Sequence, residues 1–157
     1  MNATSSLTFT VRGARPTDAA HIAQLTLQLD PDLDPAPIAQ RFERLLTRST
    51  HAFFVLDDPS ADGGDGIAGF VAAEHRTLLQ FGERVELIAL VVDARLRRCG
   101  AGSTLVAAVE AWARQRRGVQ DMVVRSSLTR EDAHPFYQRI GYAHHKTQNV
   151  YTRTLTP

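Results

Sequence analysis

Nine residues near the middle of the chain, RRCGAGSTL (Arg97–Leu105), place two arginines ahead of two glycines spaced by one residue, and a helix-like sequence follows. The stretch before them, VELIALVVD (Val85–Asp93), reads as a buried strand. A strand, a glycine turn and a fresh helix N-terminus suit an anion in that order. Glycine lets the backbone come close, and the first N–H groups of a helix have no partner inside it. Guanidinium groups stay charged at any physiological pH and carry several donors. No carboxylate stands between Arg95 and Gly102, so the cluster lacks an internal counter-ion.

Three other readings compete. A dinucleotide fingerprint needs a third glycine where Leu105 stands, and needs to open a βαβ unit, whereas this segment lies in mid-chain. A phosphate loop of the GxxxxGK[ST] type needs a lysine that is absent here. A ligand-free turn explains the glycines and leaves Arg97 and Arg98 unexplained. A bound phosphate explains both.

The elements that must position this loop follow from periodicity. LTFTVR (Leu7–Arg12) alternates as a half-buried strand does, and Pro16, Thr17 and Asp18 open a helix with Ile22, Leu25 and Leu29 inward. DPDLDPAP (Asp30–Pro37) breaks it, and a second helix turns Ile38, Phe42, Leu45 and Leu46 inward. His51–Asp57 is a strand, Asp58–Gly66 a hairpin tip, Ile67–Gln80 a long strand and Gly82–Arg84 a turn into the central strand Val85–Asp93. Ser103–Arg117 is helical with Leu105, Val106, Val109 and Trp112 on one face, and Gly118 ends it. Val119–Ser127 is a strand, and a short helix starts near Asp132 or Ala133 because Pro135 belongs in a first turn. Gly141 closes that helix, and Tyr142–Lys146 and Asn149–Leu155 read as a closing pair of strands. The order β-α-α-β-β-β-α-β-α-β-β predicts an α/β (α+β) mixed sheet flanked by helices.

Composition bounds the function. A chain of 157 residues with 43% hydrophobic and 22% charged residues is expected to form one globular domain over 1–157. The net charge of +1, from 18 basic and 17 acidic residues, leaves no whole-molecule field to draw in nucleic acid or membrane, and neither is expected as a partner. Cys99 is the only cysteine, which excludes an intrachain disulfide and a cysteine-cluster zinc site. His144 and His145 are adjacent on an expected strand and face opposite ways, so no metal is expected. The first residues lack a continuous apolar core of a secretory signal, and no apolar run approaches the ~20 residues of a membrane span, so a cytoplasmic location is expected.

Two segments together carry a family resemblance. Arg97, Gly100 and Gly102 fit the pattern [Arg/Gln]-x-x-Gly-x-[Gly/Ala], which resembles the acetyl-CoA diphosphate loop of the GNAT N-acetyltransferase superfamily. Downstream, AHPFYQRIGY (Ala133–Tyr142) is similar to that family's Ala-His-x-Phe-Tyr-x-x-x-Gly-[Phe/Tyr] segment. The element order agrees over almost the whole chain. The resemblance implies a mixed sheet whose two central parallel strands splay. It also implies acetyl-CoA as co-substrate: its pantetheine arm on the backbone of Leu90, Val91 and Val92, and its diphosphate over Arg97, Arg98, Cys99, Gly100, Ala101, Gly102 and Ser103. By the same likeness Tyr137 faces the cofactor sulfur and acts as the general acid. Leu90 supplies a backbone N–H to the thioester carbonyl, and Glu86 is the candidate base, with Glu74 and His75 as alternatives. An exposed strand-end glutamate is an equal reading of Glu86.

Departures from the family pattern are two. Arg130 stands where many members carry an asparagine, and Cys99 lies inside the phosphate loop, where it reads as a small filler. The implied activity is acetyl transfer to a primary amine of a small molecule or a peptide by direct attack. The competing class is a non-catalytic acyl-CoA sensor of the same fold, which would keep Arg97, Gly100 and Gly102 without needing Tyr137. Asp30, Asp32 and Asp34 attract a cationic amine on one reading and form a solvated loop on the other. Family analogy alone admits a homodimer.

Overall fold

The computed structural model describes residues 9–58, 60 and 66–155. They fall into two compact units, Met1–Arg125 and Ser126–Pro157.

The first unit is a five-stranded sheet in the order β1-β2-β3-β4-β5, with β1 at Val11–Gly13, β2 at His51–Asp57, β3 at Ile67–Leu78, β4 at Gly82–Val92 and β5 at Asp121–Val124. The first four pair antiparallel in sequence order, and β5 lies parallel to β4. Two helices, α1 (Ala19–Thr26) and α2 (Pro35–Leu46), join β1 to β2, and α3 (Ala101–Arg114) crosses from β4 to β5.

Side chains alternate between the two faces of a strand, and this sorts the core. On one face Val55, Phe70 and Val91 pack under Ala19, Ile22, Leu25 and Phe42 of α1 and α2. On the other, Leu105, Val106 and Val109 of α3 are buried. There a Cβ on Gly69 would meet the Val91 carbonyl oxygen at 2.8 Å and Leu105 Cδ1 at 3.3 Å. Only a residue without a side chain lets α3 sit that close to β3 and β4. β4 also carries a bulge: Ala72 pairs with Ala89 and Ala73 with Leu87, so Ile88 is the surplus residue, and its side chain is exposed.

Helix starts follow local chemistry. Pro16–Asp18 form a 3-10 turn in which the Asp18 carboxylate accepts from the Arg15 backbone N–H at 2.7 Å. Asp18 is buried, and Arg12 donates to both of its oxygens at 2.9 and 3.0 Å. Asp34 caps α2 by accepting from the Ala36 N–H. With the cap on Asp34 and prolines in the first turn, α2 starts at Pro35. The interruption after α1 is therefore shorter than the proline content predicts.

Several other boundaries differ from the sequence reading. The turn expected at Gly82–Arg84 lies at 79–81, and those three residues begin β4, with Gly82 at φ +67° supplying the entry. β3 ends at Leu78 and β5 covers only Asp121–Val124 of the expected Val119–Ser127. α3 runs from Ala101 to Arg114, and Gly118 sits beyond its end at φ +80°. Of the expected first strand, Leu7 and Thr8 lie outside the described residues, as do 59 and 61–65 of the expected hairpin tip.

The second unit holds α4 (Ala133–Arg139), which ends on Gly141 at φ +98°. Asp132 occupies its N-cap position in helical conformation and makes no side-chain capping bond. The closing strands expected at Tyr142–Lys146 and Asn149–Leu155 are not formed: both segments run without strand pairing, and Val150, Tyr151 and Leu155 are exposed. Alternation states which faces a segment would present. It does not supply a partner.

Candidate active site

β4 pairs with β3 along its whole length, from Gly82 to Val92. Its pairing with β5 covers only Arg84–Leu87. Beyond Leu87 the β5 side of β4 has no strand beside it among the described residues. The Asp93 N–H donates to the Ala68 carbonyl on β3 at 2.8 Å, so alternation points the Val91 N–H toward β3 and the Leu90 and Val92 backbone groups away from it, into the gap. The Val92 carbonyl accepts from Arg97 Nε at 3.3 Å.

The strand then runs through a 3-10 turn, Ala94–Leu96, into the glycine loop. Asp93 caps this turn through the Arg95 N–H. The Arg95 side chain bonds to Asp93 and to Asp58 at 2.9 Å, joining the β4–α3 connection to the end of β2. Asp58 sits at a pKa of about 2, lowered first by the hydroxyl and N–H of Ser60 and then by Arg95. Arg95 is thus matched by two carboxylates. Arg97 and Arg98 have no ion pair among the described residues.

Backbone geometry fits the same purpose. Arg98 lies at φ +62° and Gly100 at φ +87°, so two left-handed residues bracket Cys99. A non-glycine residue there is strained by roughly 1–2 kcal/mol, the kind of cost that persists where a site requires the shape. Gly100 is the N-cap of α3 and has no side chain to cap with. The hydroxyls of Ser103 and Thr104 both donate to the Gly100 carbonyl, and among the described residues no side chain accepts from the first N–H groups of α3. Cys99 is exposed, with Sγ 3.5 Å from the Arg97 carbonyl, so it fills no core space, contrary to its reading as a filler. Uncapped donors, unpaired guanidinium groups and an open strand edge together fit a diphosphate with a peptide-like arm, and so fit coenzyme A.

Glu86 lies on the α1–α2 face, next to the point where β4 and β5 part. It is 7% exposed, and each carboxylate oxygen meets an arginine: Oε2 accepts from Arg76 Nη1, and Oε1 forms an ion pair with Arg125 Nη1 at 3.2 Å. Glu86 is therefore not the exposed strand-end glutamate of the one sequence reading. Glu74 is its cross-strand neighbour. His75 points to the opposite face, where its Nε2 is 2.6 Å from Glu83 Oε2, and Thr77 also donates to Glu83. Period two separates Glu74 from His75, so the two alternatives for a base stand on opposite faces. The acidic loop is engaged locally: Asp30 accepts from the Asp32 N–H and Asp34 caps α2.

In the second unit Tyr137 is half-buried on α4, with its ring edge-on to Phe136 and Tyr142 at 5.1 and 5.8 Å between centroids. Burial raises its phenol above the ordinary value, and the nearby Arg130 charge offsets part of that. His134 Nε2 lies 3.0 Å from the Ser127 carbonyl and fixes the segment before the helix, a structural contact. No group of three or more metal-ligating side chains occurs among the described residues, and no described helix is long and apolar enough to cross a membrane.

Comparison with known proteins gives one match by family model, described as Acetyltransferase (GNAT) family, over residues 19–142. No curated protein matches the sequence. Among solved structures, the chain is similar to aminoglycoside N-acetyltransferase AAC(6')-Iy in complex with CoA, at 23% identity and TM-score 0.81, over 93% of this chain and 95% of that one. It is similar to aminoglycoside 6'-N-acetyltransferase AAC(6')-Ih from Acinetobacter baumannii at 16% identity and TM-score 0.79, over 95% and 100%. It also resembles glucosamine-6-phosphate N-acetyltransferase from Arabidopsis thaliana at 18% identity and TM-score 0.73, over 93% and 99%. At such identities these likenesses establish the fold.

Proposed function

This chain belongs to the GNAT acetyltransferase family, as an acyltransferase, and we propose that it moves the acetyl group of acetyl-CoA onto a primary amine by direct attack, without a covalent enzyme intermediate. The observation that carries this reading is the open edge of β4 from Ile88 to Val92, leading straight into a loop with two unmatched arginines. Acetyl-CoA supplies an acyl group activated as a thioester.

The chain's own residues divide the remaining work. Arg97, Arg98 and the N–H groups from Arg98 to Ser103 hold the diphosphate, and the gap-facing backbone groups of Leu90 and Val92, with Val91 between them bonded to β3, hold the pantetheine arm. The Leu90 N–H donates to the carbonyl oxygen as it gains negative charge, a fixed dipole that needs no reorganisation. Tyr137 gives its phenolic proton to the departing sulfur. Its support is the match to Ala133–Tyr142 and a burial that keeps the phenol protonated. Only a neutral amine attacks, so an ammonium must first lose a proton. Each Glu86 oxygen keeps a lone pair beyond its arginine contact, and a water held there takes the ammonium proton and passes one on to the Glu86 carboxylate.

The acceptor is an amine of a small molecule or of a peptide, at its N-terminus or a lysine. The local capping roles of Asp30 and Asp34 give no support to a cationic recognition site there. The test is thiol release from acetyl-CoA over a panel of amino sugars, simple amines and peptides, with calorimetry of CoA binding alongside. Turnover with at least one amine, lowered about a hundredfold in Tyr137→Phe, supports the reading. CoA binding with no turnover over the panel favours the sensor function, and no CoA uptake at millimolar concentration overturns both.

A further inference from the structure

Arg97 is held by two acceptors, and neither is charged. Its Nε donates to the Val92 carbonyl at 3.3 Å, and its Nη2 donates to Gln28 Oε1 at 3.2 Å. Gln28 stands in the turn that ends α1, far away in sequence, on the connection leading to α2. Two bonds fix the plane of the guanidinium at the end of the open β4 edge, and its other N–H groups have no acceptor among the described residues. The contrast with Arg95 is instructive. That guanidinium, two residues earlier, is also fixed, but by Asp93 and Asp58, which cancel its charge.

We propose that Gln28 is a positioning residue for the cofactor diphosphate, a neutral acceptor that orients Arg97 without neutralising it. This inference rests on the proposed binding of coenzyme A at the glycine loop. An anion site needs its cation both immobile and uncompensated. A carboxylate at position 28 would immobilise Arg97 equally well and cancel the field that the phosphate feels. An apolar side chain would leave the field and lose the orientation. Gln28 alone of the three supplies both, and it also ties the phosphate loop to the turn that ends α1.

The test is calorimetric titration of CoA into the full chain, wild type against Gln28→Met and Gln28→Glu, at low and high salt. Gln28 is exposed, so both variants are expected to fold, which a melting curve verifies. Gln28→Met is expected to weaken CoA about three- to tenfold, the worth of one charge-assisted bond in a solvated setting. Gln28→Glu is expected to be weaker still, with a deficit that shrinks as salt screens the new charge. S-acetylpantetheine, which has no diphosphate, should bind all three proteins alike. The combined Gln28→Met and Arg97→Met protein should bind no more weakly than Arg97→Met alone, because Gln28 acts through that guanidinium. If Gln28→Glu equals or exceeds the wild type, or Gln28→Met is without effect, the inference falls while CoA binding stands. If the wild type takes up no CoA, the loop reading fails and takes the inference with it.

Discussion

Replacing Leu90 by its α-hydroxy acid turns one amide of β4 into an ester and removes a single N–H. Because the Asp93 N–H faces β3, that of Leu90 faces the gap, and no bond between β3 and β4 depends on it. The ester also weakens the Ala89 carbonyl as an acceptor, a fraction of one ladder bond. Stability should therefore change little. Turnover should not: a lone donor to a developing oxyanion is worth about 2.7–4 kcal/mol, or roughly a hundred- to a thousandfold in kcat. The same change one residue later gives the opposite profile. The Val91 N–H lies in the ladder opposite Phe70, so its loss removes about 1–1.5 kcal/mol of stability. That corresponds to about 3–5 °C in melting temperature at this chain length, with kcat nearly preserved. The assay is thiol release at saturating amine and acetyl-CoA, paired with thermal unfolding of both esters. A Leu90 ester that turns over at full rate, or that melts as the Val91 ester is expected to, would refute the assignment of Leu90 as the oxyanion donor.

Tyr137→Phe should also remove the alkaline limb of the kcat profile, which in the wild type lies above pH 10 because burial raises the phenol past its ordinary value of about 10. The folded protein holds that proton more tightly than the unfolded chain does, so the associated stability is complete below about pH 10 and is lost as pH rises through the folded value, which pH-dependent unfolding reads directly. Arg98→Gly should stabilise the fold by about 1 kcal/mol, by relieving the left-handed backbone, while weakening CoA several-fold, measured by melting and calorimetry on one preparation. Asp18→Ala should destabilise by about 1–3 kcal/mol, since it leaves the Arg15 N–H without its acceptor and Arg12 with Asp57 as its remaining carboxylate. Arg12 holds the Asp18 carboxyl below its usual pKa, so this stability is present above about pH 4 and lost as pH falls through the folded value, and the variant should lose less on acidification than the wild type.

The glycine loop was legible because its meaning lies in residue types: two arginines, no carboxylate and two glycines at fixed spacing. The inward faces of α1 and α3 were legible because burial imposes a period, and Ile22, Leu25, Leu105, Val106 and Val109 are all buried. What escaped notice depends on partners far away in sequence. The partners of Glu86, Arg76 and Arg125, come from two different strand ends and carry no local signal. Gln28 looks like any polar residue at a helix end until Arg97 reaches it. The turn between β3 and β4 was misplaced by three residues because Gly82, the strongest turn former there, serves as the first residue of a strand. The final strands were expected from alternation alone, which fixes a pattern of faces and leaves open what pairs with them.

Ile88 has one more effect. Counting by twos from Leu90 puts Glu86 on the side that α3 covers, and the surplus residue reverses that count, so the carboxylate emerges on the α1–α2 side. Strand bending and side-chain handedness are therefore set together, at a position whose own side chain touches little. Excising Ile88 would keep every upstream partner opposite β3 and straighten the kink, inviting β5 to zip onward past Leu87. The cleft is then less a cavity carved by large residues than an arithmetic remainder, one amino acid too many for its neighbour to match.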